Sequence, residues 1–127
     1  MASVAEAIRE LGITEWVCRG EPASEAEFNQ MFRKITGADS DGTATESSDP
    51  ADFGVTWSQV SAKLTELQNA EPMKFLRKER DHRLAETDWW AGSDHTMTSA
   101  QTTYRQALRD ITTSATSLDD VTWPEKP

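Results

Sequence analysis

Apolar residues recur at helical spacing in five stretches of the chain, each opened by a residue suited to a helix start. Ser3 precedes Val4, Ala7, Ile8 and Leu11, and Gly12 stops the run. Ser24 with Glu27 reads as a capping box ahead of Phe28, Met31, Phe32 and Ile35, with Gly37 as terminator. Thr56 with Gln59 offers a second box before Val60, Lys63, Leu64 and Leu67, giving a helix to about Asn69. Pro72 is placed to open a fourth helix over 73–86, with Leu76, Arg80 and Leu84 on one line. Thr98 with Gln101 opens a fifth, whose face is Ala100, Tyr104, Ala107, Leu108 and Ile111. The pattern predicts an all-α protein.

The connections complete that expectation. Trp16 and Val17 sit in a short link that folds the first two helices into a hairpin, with Trp16 as the wedge. Residues 38–55 are rich in Asp, Ser, Thr and Gly and read as a long polar loop. A proline ends the helix before it, so a boundary falls near Ala70–Pro72 and divides the chain into 1–70 and 71–127. In the second unit the link TDWWAGSDHTM is short enough to join the two helices as an antiparallel hairpin. After Asp119 the chain is extended, because Pro124 and Pro127 exclude helix.

Charge narrows the function classes. The 127 residues hold 13 Lys and Arg against 22 Asp and Glu, a net charge of −9. Binding to a phosphate backbone is driven by basic side chains, so nucleic acid is disfavoured as a partner. No apolar run approaches the roughly 20 residues that span a bilayer, and the N-terminus MASVAEAIRE lacks the pattern of a signal peptide, so a soluble protein of a reducing cytoplasm is expected. One cysteine, Cys18, excludes an internal disulfide.

The chemistry-bearing residues do not form a catalytic set. His82 and His95 lack metal-ligand spacing with each other or with Cys18. Asp39, Asp41, Gly42 and Glu46 are spaced only loosely like a calcium loop, with Gly42 fourth and Pro50 twelfth, so a solvated turn is the better reading. No phosphate-binding glycine loop or nucleophile elbow occurs. The expectation is a protein without cofactor, metal or enzymatic activity.

Five tryptophans need an account. Trp16, Trp57 and Trp89 adjoin helix ends and are expected as core plugs, while Trp90 and Trp123 are expected to meet a partner. Arg80 lies on the inward line of its helix, which calls for a facing carboxylate from Asp110 or Asp88. The tail TWPEKP has the composition of an extended docking peptide.

The segments LRKERDHRLAETDWW, YRQALRDI and VTWPEKP, in that order, resemble the tail assembly chaperone family of tailed bacteriophages. Leu76, Arg77, Arg80, Asp81, Leu84, Thr87, Asp88 and Trp89 match its LRxxRDxxLxxTDW segment, and Tyr104, Arg105, Gln106, Ala107, Leu108, Arg109 and Asp110 its YRQALRD segment. The resemblance covers about residues 73–127, departing in a second tryptophan at Trp90 and in the linker GSDHTMTSAQ.

It implies a non-enzymatic protein of virion morphogenesis that binds a larger tail or tail-fibre protein in the infected bacterial cytoplasm, with homo-oligomerisation open. Trp90, Tyr104, Trp123 and Pro124 are the expected partner contacts. Leu76, Arg77, Arg80, Asp81, Leu84, Asp88, Trp89, Arg105, Leu108, Arg109 and Asp110 form the structural motif. Two alternatives remain: a small fibre or adapter subunit kept in the virion tail, and, ranked lower, an acidic DNA mimic that occupies a host protein's basic groove.

Overall fold

The computed structural model describes residues 1–127 and divides them into two compact units, Met1–Asn69 and Ala70–Pro127. The first is not all-helical. Helix α1 (Val4–Glu10) is followed by strand β1 (Trp16–Cys18), helix α2 (Glu25–Met31), strands β2 (Phe32–Ala38) and β3 (Ala44–Ser47), and a 3-10 turn at Pro50–Asp52. The three strands form one antiparallel sheet in the order β1-β2-β3. The chain is therefore mixed α and β, which corrects the all-α expectation.

The physical reason lies at Phe32. The Ser24 hydroxyl accepts from Glu27 N at 3.2 Å and starts α2 as expected, although Glu27 bonds back to Ala23 N rather than to Ser24. The helix then stops after Met31, where Phe32 turns to extended φ −82°, ψ 139°. Phe28 and Phe32 are both buried and stack at 4.9 Å, so the apolar spacing that suggested a longer helix is satisfied across a helix-to-strand junction. Beyond it, Ile35 and Thr36 are β-branched and favour the pleated sheet.

The polar stretch 38–55 is likewise not one loop. Asp39 Oδ1 accepts from Asp41 N at 2.9 Å and from Thr43 N at 3.0 Å, and Gly42 takes φ +81°, which closes a tight β2-β3 connection. Thr36 is the extra residue where the register shifts between Ile35 and Gly37. Trp16 is no wedge between helices: it lies on β1 opposite Lys34, with its indole N–H donating to the Ile13 carbonyl at 3.0 Å.

The core of this unit is aromatic. Phe32 meets Phe53 edge-on at 4.7 Å, Phe28 lies 5.7 Å from Trp57, and Val4, Ala7, Ile8, Val55 and Val60 close around them. Burying side chains of this size supplies about 1.5–3 kcal/mol each, the main favourable contribution to folding.

Helix α3 runs without a break from Trp57 to Glu86 and contributes to both units. A full Thr56–Gln59 capping box starts it, at 2.9 and 3.2 Å. Two separate helices meeting at Pro72 were expected, yet Pro72 lies inside α3. The proline deletes the N–H that would bond the Gln68 carbonyl, but the flanking Leu, Gln, Glu, Ala, Met and Lys residues all favour helix and carry it through. No helix is long and apolar enough to cross a membrane.

Candidate functional site

The second unit continues from α3 into a 3-10 turn (Asp88–Ala91), helix α4 (Ser99–Arg109), helix α5 (Ile111–Ser114) and an extended tail. Thr98 and Gln101 form the capping box that begins α4, at 3.0 and 3.1 Å. The Gln101 carbonyl oxygen lies 3.1 Å from His95 Nε2 as well, tying the preceding link to the helix start.

Arg105 organises this unit. Its Nη1 donates to the Leu84 carbonyl at 2.9 Å and to the Thr87 hydroxyl at 2.7 Å, and its Nη2 to Asp88 Oδ1 at 2.9 Å. The last carbonyls of a helix have no partner within it, so the guanidinium from α4 closes the end of α3 with charge of the favourable sign. Arg105 is only 7% exposed and Thr87 is fully buried, while Asp88 stays open to solvent. Arg105 Nε is buried without a hydrogen-bond partner. The two motif segments recognised in the sequence thus meet through one side chain.

Asp88 pairs with Arg105 and not with Arg80. Arg80 lies along its own helix and pairs with the adjacent Asp81 at 2.6 Å, and Asp110 accepts instead from Gln106 Nε2. The expected inward carboxylate for Arg80 is absent because its guanidinium is partly solvated at the helix surface. Arg77 and Arg109 are exposed, Arg109 donating to Gln106 at 3.4 Å, and Leu76 is buried.

Beside the Arg105 node lies an aromatic cluster of Trp90, Tyr104 and Leu108, with Leu84, Met97 and Trp123 packed on it. The two adjacent tryptophans take opposite parts. Trp90 is 4% exposed, 6.0 Å from Tyr104, whereas Trp89 is 65% exposed and lies 5.5 Å from His95. Trp89 is accordingly not the plug expected of it: in a 3-10 turn consecutive side chains diverge by about 120°, so only one of the pair faces the core. Trp123 is half-buried, and the Arg83 guanidinium sits 4.2 Å from its ring centroid. Pro124 next to it is half-buried. Elsewhere on this unit Phe75 and Leu118 are exposed and line a shallow cleft with Lys78, Glu79 and His82.

Two groups carry shifted titration. The Asp120 carboxylate accepts from the Ser117 and Thr116 amides and the Thr116 hydroxyl, which lowers its pKa. In the first unit, burial and then nearby Glu21 raise that of the Cys18 thiol. No group of three or more His, Cys, Asp or Glu side chains converges as a metal site would require.

Unit 2 is a small helical module built around a buried aromatic cluster. Residues 73–127 match the family model of the phage tail assembly chaperone protein, a span that takes in the Arg105 node, the aromatic cluster and the tail. No curated protein and no solved structure matches the chain.

Proposed function

We propose that this protein is a non-enzymatic assembly chaperone that binds a larger tail or tail-fibre protein in the infected bacterial cell and leaves it before the particle is finished. The family match over 73–127 carries this reading. The geometry supports it: exposed Trp89 supplies contact area on a 3-10 turn, and aromatic side chains of this kind commonly anchor protein interfaces. Trp90 and Tyr104 act from beneath, in the cluster on which Trp123 packs.

The test is removal of the gene from the phage that carries it, with mass spectrometry of purified wild-type particles. Particles lacking functional tails or fibres, together with absence of the protein from wild-type virions, are expected. Intact tails without the gene would overturn the function, and stoichiometric presence in the virion would make it a structural subunit.

A further inference from the structure

Two large apolar side chains left in solvent meet at one place. Phe75 on α3 is 46% exposed and Leu118 is 48% exposed, and both line the cleft between that helix and the turn at residues 116–120. Neither packs on the core cluster of the second unit. Both walls are held by other contacts: α3 is continuous through Phe75, and the Asp120 carboxylate closes the turn by accepting from the Thr116 and Ser117 amides at 3.0 and 2.9 Å.

The charge around the cleft has one sign to spare. Glu79 is taken up by Arg83 at 3.0 Å and Asp81 by Arg80 at 2.6 Å, Glu86 faces His82 at 3.6 Å, and Glu71 is half-buried and engaged within the chain. Lys74 and Lys78, one turn apart on the cleft side of α3, are exposed and have no carboxylate partner, and Arg77 beside Lys74 is likewise unpaired. The complement of this surface is an apolar side chain for Phe75 and Leu118 flanked by carboxylates for the cations. The net charge of −9 repels a long polyanion, so a short acidic segment fits where a nucleic acid or an anionic membrane does not.

We propose that the Phe75–Leu118 cleft is a docking site for a short acidic segment of the partner polypeptide, with an apolar side chain entering between Phe75 and Leu118 and carboxylates pairing with Lys74, Arg77 and Lys78. The proposal deepens the assembly reading, on which the partner's presence rests.

The probes are fluorescein-labelled peptides EEDFLDEE, KKNFLNKK and EEDSSDEE, titrated with the full-length protein at low salt and read by fluorescence anisotropy. The first should bind about tenfold more tightly than either of the others, because burial and charge act together. Phe75→Ser should weaken that binding about tenfold, and Phe75→Leu should keep it within about threefold. Lys74→Glu combined with Lys78→Glu should weaken it by about threefold or more, a loss that shrinks at high salt. Should Phe75→Ser fail to fold, Leu118→Ser carries the same expectation from the other wall.

Equal affinity for the three peptides, or none for the first, would overturn the proposal, as would a folded Phe75→Ser protein that binds like the wild type. A mass that doubles with concentration in the wild type and not in Phe75→Ser would make a second copy the occupant, and pelleting with phosphatidylglycerol vesicles that requires Phe75 would make it a membrane. Either result would overturn the assignment to an acidic segment of a partner. Intact tails without the gene would overturn the assembly reading and leave the peptide affinities standing.

Discussion

The Arg105 guanidinium donates to the Thr87 hydroxyl at 2.7 Å, joining two buried side chains eighteen positions apart. Thr87 passes the bond on, donating to the Leu84 carbonyl at 3.2 Å, which also accepts from Arg105 at 2.9 Å. A three-membered polar network therefore closes the end of α3.

Removing its cation should be costly. Arg105→Ala deletes two charge-assisted bonds to buried acceptors and the stem that fills the space, and should lower stability by about 2–4 kcal/mol. Asp88→Asn should cost under about 1 kcal/mol, because an ion pair with one solvent-exposed partner is weak. Urea unfolding followed by tryptophan fluorescence measures both, and equal losses would assign the strength to the ion pair instead of the helix end.

What was legible in the sequence were the helix starts marked by a hydroxyl, though not the start expected at Pro72. Ser3, Ser24, Thr56 and Thr98 all cap helices, because a hydroxyl three residues ahead of a free amide acts locally. Two ends were legible as well, α1 stopping ahead of Gly12 at φ +78° and α3 at Glu86, whereas the other ends depend on distant partners. Phe32 leaves α2 for a sheet whose other strands come from residues 16–18 and 44–47, and α3 passes Pro72 on the propensity of its neighbours. The hairpin did leave a local trace in Asp41-Gly42, flanked by Ile35 and Thr36 on one side and Thr43 and Thr45 on the other. The Asp88–Arg105 pairing left none beyond residue type, since Arg80 and Arg105 look alike until α4 is folded against the end of α3.

The β2-β3 turn tests that trace. Gly42→Ala meets no atom within 4 Å, so its cost is conformational alone, about 1–2 kcal/mol for a left-handed residue. Asp39→Ala should cost about 1–2 kcal/mol by freeing two backbone amides. Both are read as thermal shifts, and an unchanged melt for the pair would mean the hairpin contributes nothing to the first unit.

The turn before the tail should depend on pH with a definite sign. Hydrogen bonds from Ser117 and Thr116 lower the Asp120 pKa, so the folded turn is favoured by the ionised carboxylate. Its contribution is fully present above the ordinary aspartate value, about 3.9, and is lost as pH falls through the lower folded value. Protection of the Thr116 and Ser117 amides, taken relative to their intrinsic exchange rates, should fall over that acidic window in the wild type and not in Asp120→Asn. Protection independent of pH-driven protonation in both proteins would show that the turn stands without the charge.

The adjacent tryptophans should separate stability from contact. Trp90 is almost closed from solvent and packs on Tyr104 and Leu108, so Trp90→Ala should cost about 3–5 kcal/mol. That is a large share of the total stability of a small domain, about 5–15 kcal/mol, and partial unfolding of the second unit is expected. Trp89 has 65% of its surface exposed and touches chiefly its neighbour and His95, so Trp89→Ala should shift stability by no more than about 0.5 kcal/mol. Paired thermal melts by circular dichroism decide the matter. A Trp89 variant that melts as early as the Trp90 variant would place Trp89 in the core, and a Trp90 variant with a native melt would remove Trp90 from it.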